Sequence, residues 1–217
     1  MNEDYRVNRS KEVINVSHCP SKYRLEIDLK AVDAPYSNLY EFDISFSNGG
    51  VLISGRDLHH YDRRLQFMDV RRGTQFVEIG AGLGGFIPYI IGKTRRKPIV
   101  IDFANYRLMK LMLTFAKSLN LGKNVDKRLD VLIGRCELVT DPKKVRLINL
   151  QLSQALRQNP DLRGIADVLV DHYGAHQYPV VETSPRWDAK QRISELEKSL
   201  LKRSAIHLVC ASGDSRK

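Results

Sequence analysis

The chain has 217 residues and a formal net charge of +10, with 42% hydrophobic and 28% charged residues. Such a length carries a full core in one domain with an extension, and the composition is ordinary for a soluble globular protein. The longest apolar stretches, such as Phe86 to Ile91, are far too short to span a bilayer, and the polar start Met1-Asn2-Glu3-Asp4-Tyr5-Arg6 does not read as a secretory signal. Cys19, Cys136 and Cys210 are an odd set at irregular spacing. They point to reduced thiols in a cytoplasmic protein rather than a disulfide framework or a metal site.

In chain order, residues 1–20 read as a short helix or a loosely held arm. Strands follow over residues 21–54. Leu25, Ile27 and Leu29 alternate with Arg24, Glu26, Asp28 and Lys30, then Phe42, Ile44 and Phe46 with Glu41, Asp43 and Ser45. Asn48-Gly49-Gly50 turns the chain into Val51-Leu52-Ile53. These strands form a small antiparallel sheet with one wet face. Residues 57–70 read as a helix, which closes an extension over residues 1–74.

From residue 75 strand and helix alternate, which favours a mostly parallel sheet with helices on both faces. The apolar strand Phe76-Val77-Glu78-Ile79 runs into Gly80-Ala81-Gly82-Leu83-Gly84-Gly85. Glycine suits a tight turn with positive φ and a backbone that comes close to a ligand. A helix is expected from Gly84 or Gly85, with Pro88 in its first turn. The run Pro98-Ile99-Val100-Ile101 ends at Asp102, about 20 residues after Gly80, where nucleotide-binding sheets hold a ribose. A helix over Asn105 to Leu119 should face inward through Leu108, Leu111, Met112, Phe115, Ala116 and Leu119.

Over 120–149 two readings stand. One is a helix over 125–139 with Leu129, Leu132, Ile133 and Cys136 inward, stopped by Asp141-Pro142, and a third strand Val145–Asn149. The other makes Asp130-Val131-Leu132-Ile133 the strand. Ala166–Asp171 is a buried strand ending in an acid, followed by His172-Tyr173-Gly174-Ala175-His176. A helix from Ser184 to Arg203, capped by Ser184 with Pro185 next, leads to a fifth strand, Ala205–Cys210. Basic clusters at Arg63-Arg64, Arg71-Arg72, Arg95-Arg96-Lys97, Lys143-Lys144 and Lys202-Arg203 stand scattered along the chain, a field that would attract a polyanion such as RNA.

Two cofactor classes compete for the glycine turn. Gly80, Gly82 and Gly85 fit the dinucleotide fingerprint of NAD(P)-dependent oxidoreductases. Gly80, Gly82 and Gly84 behind Glu78 instead resemble the first motif of the class I, Rossmann-like S-adenosylmethionine-dependent methyltransferases. Glu78 favours the second, since a carboxylate there repels a pyrophosphate and suits an ammonium and a sulfonium. The resemblance spans 75–211 and rests on the glycine turn, Glu78 and Asp102. It implies a doubly wound domain over 75–217 that binds S-adenosyl-L-methionine through Glu78, Gly80, Ala81, Gly82, Gly84, Asp102, Phe103 and Asn149, Asn149 lying near the adenine. If Asp130–Ile133 is the strand, that last role passes to Arg135 or Glu137. The acceptor loop follows Asp171, with Asp171, His172 and His176 as candidate bases and Tyr173 and Tyr178 as stacking residues; no metal is implied.

The family usually ends in an antiparallel hairpin, which this chain, stopping at Lys217, lacks unless the strands of 21–54 cover that edge; a bare edge invites a homodimer in place of a monomer. The acceptor is not named by any motif, with RNA favoured by charge and a small molecule as the other option. A non-catalytic binding domain is the remaining alternative.

Overall fold

The protein was analysed as a computed structural model, which describes residues 4–33, 43–55, 70–172 and 189–210. Two five-stranded sheets organise the chain, and it divides into two units. One unit holds residues Met1–Arg56, Gly82–Gly85 and Asn105–Leu138. The other holds Asp57–Ala81, Phe86–Ala104 and Val139–Lys217. No described helix is long and apolar enough to cross a membrane.

The first unit carries an antiparallel sheet. Its strands are β1 (Tyr5–Arg9), β2 (Val13–His18), β3 (Tyr23–Asp28), β4 (Ile44–Asn48) and β5 (Val51–Ser54), paired in chain order. The first two replace the helix or loose arm expected over residues 1–20. Ile14 and Val16 are buried between the polar Asn15 and Ser17, which is a strand period. Ser10 closes the hairpin, its hydroxyl accepting from the Val13 amide at 2.9 Å while its own amide donates to the Val13 carbonyl at 2.9 Å. Val16, Leu25, Phe46 and Ile53 then fall in one register row on the buried face. The expected strands over 21–54 are present, with one turn of helix, α1 (Leu29–Asp33), between β3 and β4. Phe42 and the helix expected over 57–70, apart from its last residue, lie outside the described residues.

Two further helices of this unit are α3 (Tyr106–Lys117) and α4 (Lys123–Thr140). Asn105 caps α3, its side chain accepting from the Leu108 amide at 3.0 Å. The Tyr23 hydroxyl accepts from the Asn105 amide at 2.8 Å, and the Phe115 ring stacks on Tyr5 at 4.4 Å. The buried stripe of α3 is Tyr106, Met109, Met112, Leu113 and Ala116. That corrects the expected face: Leu111 is 52% exposed, and Leu108, Phe115 and Leu119 are half-buried. In α4, Leu129, Leu132 and Cys136 are buried as expected and Ile133 is half-buried. Residues 130–133 are helix, so the alternative strand there falls.

The second unit is built on a parallel sheet of β6 (Phe76–Ile79), β7 (Ile99–Ile101), β8 (Arg146–Ile148), β9 (Ala166–His172) and β10 (Leu201–Cys210), in spatial order β10-β9-β6-β7-β8. One face packs under α5 (Leu152–Gln158) and α6 (Ala189–Leu200), with Ile79, Ile101 and Leu169 meeting Leu152, Leu156 and Ile193. On the other, Phe76 meets Phe86 edge-on at 5.8 Å.

Three boundaries differ from expectation. The helix after the glycine turn, α2 (Phe86–Ile90), is a five-residue turn. It ends because Gly92, at φ 90°, supplies the left-handed residue that terminates helices. The last helix stops at Leu200 instead of Arg203, and β10 begins at once. Leu201 pairs with Ala166, and Lys202 reaches Asp167 at 2.6 Å, holding the chain extended through an irregular register before Ile206. Ser184 and Pro185 lie outside the described residues. Finally, the described strands of 21–54 are not hydrogen-bonded to an outer strand of the parallel sheet. They pair among themselves, and β8 and β10 are its outer strands among the described residues.

Candidate functional site

The carboxyl ends of the parallel strands form one register row, in which Ile148 pairs with Ile101, Ile101 with Ile79, and Ile79 with Asp171. The chain therefore places Asn149, Asp102, Gly80 and His172 side by side as the next residues. The ladder runs one step further: the Gly80 amide donates to the Ile101 carbonyl at 2.9 Å, and the Asp102 amide to the Ile148 carbonyl at 3.2 Å.

Strand alternation decides which side chains meet. Ile79 and Ile101 face α5 and α6. Glu78 therefore projects from the other face, beside its register partner Val100. Asp102 continues the parity of Val100, so both carboxylates belong to that same face. Glu78 is 2% exposed and Asp102 is 6% exposed. One oxygen of Asp102 accepts from the Ala104 amide at 2.8 Å, which fixes the side chain against the strand end.

Asn149 braces this turn from β8. Its side-chain nitrogen donates to the carbonyls of Asp102 and Ala104, both at 2.8 Å. Both amide hydrogens are occupied, so any contact with an adenine falls to the carbonyl oxygen, an acceptor suited to an exocyclic amine. Phe103, between the two braced carbonyls, is half-buried.

The turn after β6 requires glycine twice. Gly80 has φ 65° and Gly82 has φ 51°, in the left-handed region that side chains rarely adopt. Ala81, between them, is buried. Gly82 to Gly85 belong to the first unit, and there the close approach is to the chain itself. A Cβ on Gly82 would lie 3.1 Å from the Ile53 side chain, and the Leu83 amide donates to the Ser54 carbonyl at 3.3 Å. Gly84 is half-buried with φ outside the left-handed region.

The sequence reading missed the clamp on this segment. Arg135 donates to the Leu83 carbonyl at 2.9 Å and to the Gly55 carbonyl at 3.2 Å. Arg128 donates to that same Gly55 carbonyl and pairs with Asp43. The available signal was spacing, since arginines seven apart share a helix face. Arg135 is thus a backbone clamp, and Glu137 pairs with Lys110 at 2.7 Å. Next to the clamp, burial pushes the Cys136 thiol up to about 12, so it stays protonated.

Of the three candidate bases, Asp171 and His172 are placed differently and His176 lies outside the described residues. Asp171 is fully buried and takes the face of Ile79, under α5 and α6, away from the face of Glu78. Its side chain is not brought together with the two carboxylates. His172 closes β9 opposite Cys210, and its side chain lies outside the described ones, as do residues Tyr173, His176 and Tyr178.

No family model, curated protein or solved structure matches this chain.

Proposed function

We propose that the protein is a methyltransferase that uses S-adenosyl-L-methionine and holds it at the carboxyl edge of β6 and β7. The observation that carries the reading is the pair of buried carboxylates, Glu78 and Asp102, on one face of adjacent strands beside a glycine turn. S-adenosylmethionine supplies a methyl group, carried on a sulfonium, to an acceptor nucleophile. Its two cationic groups and ribose hydroxyls suit carboxylate acceptors. Glu78 takes the methionine ammonium. Asp102, fixed through Ala104 and braced by Asn149, accepts from the ribose. The Gly80–Ala81 backbone lines the cofactor.

The spatial order β8-β7-β6-β9-β10, numbered by position in the sheet's own chain order as 3-2-1-4-5, supports a Rossmann-like arrangement with the site at the strand-order switch. Against a nicotinamide cofactor stands α2. A pyrophosphate is favoured by the dipole summed along a helix behind its free amides, and a five-residue helix sums only a small dipole. Rate enhancement in such an enzyme comes from aligning donor and acceptor and excluding water, without a protein nucleophile. His172, at the end of β9, is the positional candidate for a base if the acceptor carries a proton.

Equilibrium binding of S-adenosylmethionine to the full chain and to Glu78→Ala and Asp102→Ala tests the assignment. Both variants should bind more weakly than wild type when compared at a temperature where unfolding curves show each of them folded. Equal affinity in all three would remove these residues from the site.

A further inference from the structure

Basic clusters far apart in the sequence are collected by the parallel sheet at one place. Every crossover in such a sheet returns the chain to the same edge before the next strand. Arg71 and Arg72 precede β6, Arg95 and Arg96 precede β7, and Lys143 and Lys144 precede β8. All of these side chains are exposed. The loops that carry them are joined: the Arg95 amide donates to the Arg72 carbonyl at 2.7 Å, and Lys97 donates to the Pro142 carbonyl at 2.9 Å. The edge continues past β6. The Gln75 amide donates to Asp167 of β9 at 2.8 Å, and Asp167 pairs with Lys202 of β10.

The acids of this edge are already engaged. Asp161 pairs with Arg146 at 2.6 Å, Asp167 with Lys202 at 2.6 Å, and Asp141 accepts from the Lys143 amide at 2.9 Å. Arg71, Arg72, Arg95 and Lys143 form no ion pair among the described residues. Like charges so gathered repel one another, and the arrangement is relieved by a polyanion. We propose that the amino-terminal edge of the parallel sheet is a docking surface for a nucleic-acid strand, held through its phosphodiester backbone.

Dimension and chemistry both favour this partner. Five strands at about 4.8 Å spacing make an edge roughly 19 Å long. An edge of that length is met by several consecutive phosphates of one strand. Arginine predominates, and its fork matches phosphate oxygens. An anionic membrane would call for apolar anchors among the cations. The exposed large hydrophobics among the described residues are Val7, Leu52, Leu111, Val131 and Ile206, none of them in the loops before β6, β7 or β8. The inference goes beyond the cofactor reading and stands without it.

The test uses the full chain and a labelled single-stranded RNA of mixed sequence, about 20 nucleotides long, titrated between about 50 and 200 mM salt. The rim variant carries Arg71→Gln, Arg72→Gln, Arg95→Gln and Arg96→Gln. A control with the same charge change carries Arg24→Gln, Arg107→Gln, Lys123→Gln and Lys127→Gln, all exposed residues of the first unit. Wild type and control should bind alike. The rim variant should bind at least tenfold more weakly with a shallower salt slope, each lost phosphate contact lowering the slope by about 0.7. Lys143→Gln with Lys144→Gln should give a smaller loss in the same direction. Equal weakening in rim variant and control would mean a diffuse field and would overturn the assignment. So would unchanged binding in the rim variant, or wild type that binds anionic vesicles and not RNA.

Discussion

The parallel sheet has two edges made by the same five strands, and they are chemical opposites. At the carboxyl edge stand Glu78, Asp102 and Asn149, buried or tied to backbone, around a turn that only glycine can make. At the amino edge stand exposed arginines and lysines with no special backbone geometry. The first edge is specified by residues in fixed positions and should tolerate little. The second is specified by charge alone, and any single residue on it should be replaceable. A parallel sheet sorts the chain by strand end, so two unlike surfaces arise from one topology.

The sharpest way to break this contrast is a pair of stability measurements. Gly82→Val forces a branched residue to φ 51° and drives it at Ile53, which should cost about 3 kcal/mol. Arg72→Gln should stay within about 0.5 kcal/mol. Denaturant unfolding of both variants reads the difference, and similar midpoints would remove the contrast. Next in size is ligand affinity. Glu78→Ala should weaken S-adenosylmethionine binding by about 1–3 kcal/mol, the range for a charged hydrogen bond. The rim variant should bind the cofactor as wild type does.

Arg135→Met should cost about 1–2 kcal/mol, because the Leu83 and Gly55 carbonyls lose a charged donor. Its signature is local: amide exchange at Leu83 should quicken more than at Val16 or Leu25. Uniform change across the unit would make Arg135 a general packing residue and not a clamp on the turn. The smallest effect belongs to the amino edge. Burial raises the Asp167 pKa, but the Lys202 ammonium and the Gln75 amide outweigh it and hold the carboxyl below its ordinary value. A depressed folded value means the stabilisation is present above the unfolded carboxylate pKa and is lost as pH falls through the folded one. The pair is partly exposed, so Asp167→Asn should lose no more than about 1 kcal/mol at neutral pH, with the gap closing in acid. A gap that widens in acid would contradict the pairing.

Local signals were legible in the sequence and relational ones were not. The turn at Gly80 and Gly82, the strand end before Asp102 and the helix after Asn105 each announce themselves within a few residues, whereas 120–149 admitted both a helix and a strand. The strand β1 was hidden because it is exposed apart from Tyr5 and lacks an apolar alternation, while β2 carries only the short alternation of Ile14 and Val16. The rotated face of α3 followed from choosing Leu108 and Leu111 over Tyr106 and Met109, a choice that packing decides and periodicity does not. The Arg135 clamp depends on a carbonyl supplied by another element, and the basic rim on strand order. Clusters that look scattered in one dimension needed the sheet to bring them to one edge.

The central claim is a cationic, adenosine-bearing ligand at the carboxyl edge of β6 and β7. Calorimetric titration of the full chain with S-adenosylhomocysteine and, separately, NADH tests it most directly. Micromolar binding of S-adenosylhomocysteine with none of NADH is the expected result, whereas NADH binding alone, or neither, would contradict the account.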